Sequence, residues 1–330
     1  SILINRLIQE GRLSLTATVG DFIDLTTLPG HTADPRLANV TVRNLLEHLA
    51  GFRTYDSLRD PMFADPQIAA DVGIGLPVGT ADIIRAMNGI PLGSQPGATF
   101  SYSNYGYMLL GRIIEDVTSM SYENYAKSVF APIGVRNMRL GRSQLSLRAP
   151  NEVGYNSGIM RTTVMDDSGA LVPYEYGAFN IENMDSHGGW ISSAVEMVRI
   201  ASNLDNPSAS DAILDQASIS RMFSLPENYP LPYQLGNPYY AHGWSVRNYG
   251  NGKYNTWHDG SLPGTTSYMV RIQDGWDYVA IFNRRDETGA SCISCETDNA
   301  MWGVRDQIAN WPDIDLFPKM LSVIFTSGFD

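Results

Sequence analysis

At positions 100–107 the chain reads Phe100-Ser101-Tyr102-Ser103-Asn104-Tyr105-Gly106-Tyr107. Apolar residues then recur at the i, i+3, i+4, i+7 spacing of an amphipathic helix, at Leu110, Ile113, Ile114 and Val117. The spacing predicts a helix that begins just after Asn104. Two interpretations of the preceding stretch are open. Tyr102 and Asn104 are catalytic acid/base groups, or they are an ordinary buried aromatic residue and a helix N-cap.

A second informative stretch, residues 257–264, reads Trp257-His258-Asp259-Gly260-Ser261-Leu262-Pro263-Gly264. It lies among runs rich in aromatic and β-branched residues, which predict antiparallel strands over 239–248, 268–272 and 278–282. Asp274-Gly275 predicts a tight hairpin turn between the last two strands. We therefore expect His258 at a strand edge. The alternative, a structural histidine, stays open.

The other periodic segments predict helices over 2–10, 41–49, 81–87 and 298–308. Gly51 closes the second of these. A further helix is predicted after the capping box Ser193-Ala194-Val195-Glu196. Residues 53–100 are rich in Pro, Gly and Asp and otherwise predict loops and short helices. Helices in the middle of the chain and strands late in it predict an α+β fold, with a sheet lobe beside a helical lobe.

Composition narrows the classes of partner. The 330 residues, 43% of them hydrophobic, are enough for one large domain or two lobes. A formal net charge of -12 disfavours nucleic acid and anionic membrane surfaces as partners. No apolar run approaches the roughly 20 residues of a membrane-spanning helix, so we predict no membrane span. The remaining histidines lack metal-ligand spacing, so we predict no metal and no cofactor and assign structural roles to His31, His48, His187 and His242.

The two cysteines, Cys292 and Cys295, form a CxxC in a polar loop without the strand-to-helix setting of a redox motif. They predict a loop disulfide or two free thiols. The sequon Asn39-Val40-Thr41 and a first residue, Ser1, that is not methionine slightly favour a secreted or extracytoplasmic protein. The sequence makes no prediction of the oligomeric state.

In this order along the chain, the two motifs resemble the serine β-lactamase-related family, which includes class C β-lactamases, DD-peptidases, D-aminopeptidases and esterases. Further similar stretches are 10–15, 41–51, 96–111 and 188–190. The resemblance implies a β-lactamase/transpeptidase-like fold, a mainly antiparallel sheet flanked by helices plus a helical lobe. It also implies a family domain over 1–312, with a sheet lobe at approximately 1–15 and 185–312, a helical lobe at approximately 16–184, and a C-terminal tail over 313–330.

The resemblance further implies hydrolysis of an ester or amide through an acyl-serine intermediate. A serine hydroxyl needs an adjacent base, and a tyrosine serves as one when nearby cations lower its pKa. By resemblance, Tyr102 shuttles the proton, Asn104 orients a lysine and the substrate amide, and His258 hydrogen-bonds the tyrosine and the substrate. The implied substrate-binding residues are Asp259, Gly260 and Ser261, with the backbone N–H of Ser261 in an oxyanion hole.

One family element is missing from the chain. The family carries its nucleophile in a Ser-x-x-Lys motif at the start of a helix. The chain has three lysines, Lys127, Lys253 and Lys319, and none of them has a serine three residues before it. By resemblance, the motif and the family's first strands should lie upstream of Ser1. We therefore expect a fragment or a cleavage product, inactive by itself, whose sheet exposes an edge. The alternatives are an inactive homologue that serves as a binding or scaffold module and, more distantly, a hydrolase that uses Ser1.

A second departure concerns the substrate. Penicillin-recognising members have Lys-Thr-Gly or Lys-Ser-Gly on the strand, whereas this chain has His258-Asp259-Gly260. An anionic Asp259 would repel a substrate carboxylate. We therefore expect β-lactams and C-terminal peptide carboxylates to be poor substrates, and neutral esters or amine-bearing amides to fit better. The alternative is that Asp259 points away from the cleft.

Overall fold

The protein is described by a computed structural model, which covers residues 1–53, 60–312 and 314. Its α-helices are α1 (Ile2–Gln9), α2 (Val42–Leu46), α3 (Asp65–Val72), α4 (Thr80–Asn88), α5 (Asn104–Thr118), α6 (Tyr122–Phe130), α7 (Ala194–Asn203), α8 (Gln216–Phe223) and α9 (Ile293–Gln307). Its strands are β1 (Arg139–Leu140), β2 (Met160–Thr162), β3 (Leu171–Pro173), β4 (Trp190–Ile191), β5 (Pro238–Tyr240), β6 (Ser245–Gly250), β7 (Lys253–Leu262), β8 (Thr265–Ile272) and β9 (Trp276–Phe282). Short 3₁₀ turns connect several of them.

The main sheet is an antiparallel meander in the order β5-β6-β7-β8-β9. Strand β7 is longer than β6, and their pairing ends where Trp257 meets Ser245. Beyond that point, from His258 to Leu262, β7 pairs with β8. Within the described residues, this stretch has no partner strand on its other side. Its backbone edge is therefore open where His258-Asp259-Gly260 lies.

Helix α5 carries the other motif and is anchored in the core. Its start agrees with the prediction, but its N-cap is Ser103, whose Oγ accepts from the N–H of Gly106 at 3.1 Å. Asn104 is the first helical residue, so the interpretation of Asn104 as the cap is wrong. The inward face is fully enclosed at Met108, Leu109 and Ile113. Burial of such a side chain contributes about 1.5–3 kcal/mol, so the helix gives the motif a rigid base.

Several predicted elements agree with the structure. The helices expected over 2–10 and 81–87 are α1 and α4, and the hairpin at Asp274-Gly275 joins β8 to β9. Cys292 and Cys295 form a disulfide at the start of α9. That helix begins at Ile293, five residues before the predicted start, because Cys292 caps it.

Three predictions at element boundaries are wrong. Helix α2 ends at Leu46, well before Gly51, because His48 adopts a left-handed conformation with φ 55°. The run 239–248 is two strands, β5 and β6, with a turn between them. The capping box after Ser193 is only half formed. Its serine accepts from the N–H of Glu196, but the Glu196 carboxylate accepts from the N–H groups of Arg136 and Asn137 instead.

Two small sheets were not predicted. Strand β1 pairs with β4, and β2 pairs with β3, with two or three residues in each strand. Segments this short carry no readable alternation of polar and apolar residues. The β1–β4 pair nevertheless ties the segment after α6 to the Gly188-Gly189-Trp190 stretch.

The outer parts of the chain bear on three further expectations. At the edge of the main sheet, β9 exposes Ile281 and Phe282. None of the helices described is long and apolar enough to cross a membrane. The predicted tail, 313–330, lies outside the described residues except for Ile314. The two-lobe division over 1–15 and 185–312 and over 16–184 stays a prediction.

The anchoring of α5 gives a testable prediction. Replacing Ile113 by alanine removes a fully buried side chain and leaves a cavity, so we expect Ile113→Ala to lower the free energy of unfolding by about 2–5 kcal/mol. Asp116 is exposed on the same helix, and Asp116→Ala should change that free energy by less than about 0.5 kcal/mol. Urea unfolding of both variants measures the difference. Equal effects would show that α5 is not anchored through this face.

Candidate active site

Tyr102 lies in an extended segment just before α5. The backbone N–H of Ser101 donates to the carbonyl oxygen of His48 at 2.9 Å, and the N–H of Ser103 donates to its Nδ1 at 3.1 Å. These two bonds hold the segment on either side of Tyr102. The Tyr102 side chain is 52% exposed. The tyrosine is therefore not the ordinary buried aromatic residue of the alternative interpretation.

Asn104 is oriented by a carboxylate. Its Nδ2 donates to Oδ2 of Asp60 at 2.8 Å, and the other oxygen of Asp60 accepts from the N–H of Met62 at 2.9 Å. Because the amide nitrogen faces Asp60, the amide oxygen of Asn104 points the other way. Asn104 can therefore accept a hydrogen bond from an ammonium group or an amide N–H.

His258 contacts a residue that the sequence did not single out. Its Nε2 lies 3.1 Å from the hydroxyl of Tyr240, which comes from β5. The ring of Tyr240 also contacts the rings of Tyr102 and His48, with centroid separations of 6.1 and 4.7 Å. Tyr240 thus connects the two predicted motifs. The available signal was its place at the end of the Pro/Tyr-rich run 229–240, where that run overlaps the predicted strand 239–248.

His48 is the second residue that sequence reasoning missed, since it was assigned a structural role only. Its ring lies among those of Phe100, Tyr102, Tyr107 and Tyr240, with centroid separations of 5.9, 4.2, 5.0 and 4.7 Å. The helical spacing of residues 41–49 gave no sign of this position, because the turn at His48 takes it out of the helix.

One cavity of about 280 Å³ joins these parts. Its lining includes Tyr102, Tyr240 and His258, together with the first residues of α1 from Ser1 to Ile4. Much of the remaining wall is apolar: Leu110, Ile114, Phe130, Met138, Met197, Ile200 and Trp244. Two of the three predicted catalytic residues therefore meet at one cavity, whose lining does not include Asn104.

The three predicted substrate-binding residues follow His258 along the open edge of β7. Asp259 is exposed, and Gly260 lies where a side chain would overlap that of Ser267 on β8. Ser261 pairs with Thr266. A larger residue at position 260 would therefore require the Ser267 hydroxyl to move. The edge itself presents backbone groups to whatever occupies the cleft.

The charges near Tyr102 are negative. Burial raises its pKa, and the carboxylates of Asp259 and Asp60 raise it further. Tyr102 is therefore a neutral phenol at pH 7, and it needs a nearby cation before it can act as a base. Among the described residues, no group that shifts this pKa is cationic.

The imidazoles of the site are neutral. Burial lowers the pKa of His258, while the neighbouring Asp259 partly offsets this effect. Burial, with a smaller contribution from His258, lowers the pKa of His48 to about 3. Among the described residues, no group of three or more His, Cys, Asp or Glu side chains could hold a metal ion.

The class of protein follows from its similarity to known proteins. The chain belongs to the Beta-lactamase family, whose model matches residues 1–291. This confirms the family resemblance carried by the two motifs.

Particular relatives cover less of the chain. It is 35% identical over 130 residues to a putative fimbrial assembly protein FimD, serogroup D, of Dichelobacter nodosus. It is 27% identical over 136 residues to a putative D-alanyl-D-alanine carboxypeptidase of Salmonella agona (strain SL483). These matches take in 39% and 41% of this chain, and the chain spans only 29% of the length of either relative.

Solved structures cover nearly all of the chain. An octameric penicillin-binding protein homologue from Pyrococcus abyssi superimposes with a TM-score of 0.62 at 25% identity, over 92% of this chain and 63% of that one. D-amino acid amidase from Ochrobactrum anthropi SV3 gives a TM-score of 0.64 at 21% identity, over 92% of this chain and 80% of that one. The predicted β-lactamase/transpeptidase-like fold is thereby confirmed.

A titrating histidine on the cavity wall gives the second prediction. Both ring nitrogens of His187 are buried without a hydrogen-bond partner, and burial lowers the pKa of this side chain from 6.5 to about 3. Between these pH values the unfolded state binds more protons, so the stability contributed by neutral His187 is lost as the pH falls.

The variant His187→Asn has no titrating group at this position. We expect the stability of the wild type, measured relative to this variant, to fall by about 1.4 kcal/mol per pH unit from pH 6.5 towards pH 4. Using the difference between the two proteins cancels the other titrating groups. Urea unfolding at a series of pH values measures it, and a difference that does not change with pH would contradict the burial of a neutral imidazole.

Proposed function

We propose that the complete protein is a serine hydrolase of the Beta-lactamase family that acts through an acyl-serine intermediate on an ester or an amide. The observation that carries the proposal is the meeting of Tyr102, His258 and the first turn of α1 at one cavity. The names of the relatives and structural neighbours, a carboxypeptidase and an amidase among them, support hydrolysis as the reaction class.

The nucleophile in this proposal is the serine of a Ser-x-x-Lys motif about seven residues upstream of Ser1, roughly two helical turns or 10 Å along the axis. Ser1 and the first residues of α1 line the cavity, which supports a helix that continues upstream and passes beside Tyr102 and His258. Ser1 itself is engaged otherwise, since its hydroxyl donates to the carbonyl oxygen of His242 at 2.5 Å.

The lysine of that motif supplies the cation that Tyr102 needs. Its positive charge opposes the carboxylates of Asp60 and Asp259 and lowers the pKa of the phenol. Once the phenol has given up its own proton to solvent, the phenolate of Tyr102 accepts the proton of the serine hydroxyl as the serine oxygen attacks the substrate carbonyl carbon. The amide oxygen of Asn104 accepts from the lysine or from the substrate amide, which keeps both groups in line.

The remaining steps use the strand. The oxyanion of the tetrahedral intermediate accepts hydrogen bonds from the backbone N–H of Ser261 and from that of the nucleophile. Tyr102 returns the proton to the leaving group as the carbonyl–leaving-group bond breaks, and the acyl-serine forms. A water molecule then attacks the acyl-serine, giving its proton through Tyr102 to the serine oxygen. His258, whose Nε2 is paired with Tyr240, has one further ring nitrogen, which hydrogen-bonds Tyr102 or the substrate.

The substrate class follows from charge. Asp259 is exposed, and its carboxylate acts electrostatically on Tyr102, Tyr240 and His258. This supports an Asp259 that faces the cleft and disfavours substrates with a carboxylate near the scissile bond. We propose neutral esters or amine-bearing amides as substrates, and the name of the neighbouring D-amino acid amidase agrees with the amide class.

The role of Tyr102 is tested with Tyr102→Phe in the protein expressed from its complete coding sequence. Loss of the proton shuttle should lower the rate of labelling by a fluorophosphonate, and kcat for a p-nitrophenyl ester, by about 10²- to 10⁴-fold. Tyr249 is exposed on β6, and Tyr249→Phe should leave both rates unchanged. Equal rates for Tyr102→Phe and the wild type would remove Tyr102 from the mechanism. A wild type that neither labels nor turns over supports the inactive binding module instead.

The substrate class is tested with a matched pair of amides, one carrying an ammonium group and one a carboxylate at the same position. We expect kcat/KM to favour the ammonium compound by at least about tenfold, or about 1.4 kcal/mol, because Asp259 attracts one and repels the other. The isosteric variant Asp259→Asn should narrow this ratio and leave the rate for a neutral ester nearly unchanged. Rapid turnover of benzylpenicillin by the wild type would contradict the assignment.

A further inference from the structure

We propose that His48 is a positioning residue for Tyr102: its backbone and its ring clamp the segment 101–103 and thereby fix where the phenol stands in the site. The proposal rests on the function proposed for Tyr102. It assigns His48 more than the structural role expected from the sequence.

The clamp begins with an unusual backbone conformation. His48 has a φ of 55°, in the left-handed region that residues other than glycine seldom occupy and that costs about 1–3 kcal/mol. This turn, directly after α2, lets one residue present both its carbonyl oxygen and its side chain to the same segment. The carbonyl accepts from Ser101 at 2.9 Å, and Nδ1 accepts from Ser103 at 3.1 Å.

The two bonds lie on either side of Tyr102, one residue before it and one after it. They therefore fix the direction in which its Cα–Cβ bond points. Few other contacts can do so, because the Tyr102 side chain is about half exposed. Ser103 takes part in the clamp through its N–H and caps α5 through its Oγ, so the clamp joins the tyrosine to the start of that helix.

The ring of His48 adds a second restraint. The centroid of the His48 ring lies 4.2 Å from that of Tyr102, and the ring also packs against Tyr240 and Tyr107. Tyr240 is in turn hydrogen-bonded to His258. The His48 imidazole therefore connects Tyr102 with His258 through Tyr240. An imidazole that accepts through Nδ1 carries its proton on Nε2, so the clamp requires one tautomer.

Two variants separate the parts of the clamp without backbone strain. His48→Gly removes the ring and the acceptor but accepts a positive φ freely. His48→Asn also tolerates this conformation, and its Oδ1 takes the place of Nδ1 as acceptor. We expect His48→Gly in the complete protein to lower kcat for a neutral ester by about 10²-fold, with KM within about threefold, because a small displacement of a catalytic group has an effect of this size. His48→Asn should recover at least tenfold of the loss.

A purely structural role predicts a different result. Both variants would then lose thermal stability in proportion to the ring removed, with kcat per folded molecule unchanged, and the proposal would be overturned. It would also be overturned if the Gly and Asn variants had the same kcat. His31→Asn, which alters an exposed histidine, is the control that should match the wild type.

A measurement without turnover keeps the clamp testable if the protein proves inactive. Nitrogen-15 spectra of the complete protein should show His48 protonated on Nε2, and hydrogen exchange at the Ser103 amide should speed up at least tenfold in His48→Gly and return towards the wild-type rate in His48→Asn. Unchanged exchange in His48→Gly would overturn the clamp. An intact clamp in a protein without hydrolysis would instead count against the proposed function alone.

Discussion

The hydrogen bond from the Gly106 N–H to Ser103 Oγ decides where α5 begins, and the site depends on that point. It leaves Tyr102 outside the helix, on an extended segment that faces the cavity, and makes Asn104 the first helical residue. The buried face of α5 anchors this helix start in the core. A start one residue earlier or later would turn the asparagine by about 100° around the helix axis and remove it from Asp60.

Electrostatics set the second condition. Partial burial raises the pKa of Tyr102, and the carboxylates of Asp259 and Asp60 raise it further. A phenol with a raised pKa stays protonated at pH 7, so it cannot accept a proton until a cation lowers that pKa. In the proposed mechanism, the described residues supply the acid/base group, the orienting amide and the strand edge, and a Ser-x-x-Lys motif supplies the cation and the nucleophile. The same carboxylates are the basis of the proposed preference for substrates that are not anionic.

Much of this was predictable from local patterns. The apolar spacing after Asn104 gave the start of α5, and Asp274-Gly275 gave the β8–β9 hairpin, because both signals arise from neighbouring residues. The positions of His48 and Tyr240 were not predictable in this way. His48 depends on a left-handed turn that cuts α2 short, and Tyr240 depends on a hairpin within a run that reads as one strand. Both residues act through contacts with distant segments, which helical or strand periodicity does not report. The three site residues Tyr102, Asn104 and His258 came from the order of the motifs, and their catalytic roles remain proposals.

The most direct test is to locate the serine that forms the acyl-enzyme. The protein expressed from its complete coding sequence is incubated with a fluorophosphonate, digested, and analysed by mass spectrometry for the modified peptide. We predict a single adduct on a serine about two helical turns upstream of Ser1, three residues before a lysine, and no adduct when Tyr102→Phe is treated for the same short time. An adduct on Ser1 or on another serine of the described chain, or no adduct at all in the wild type, would contradict the proposed mechanism.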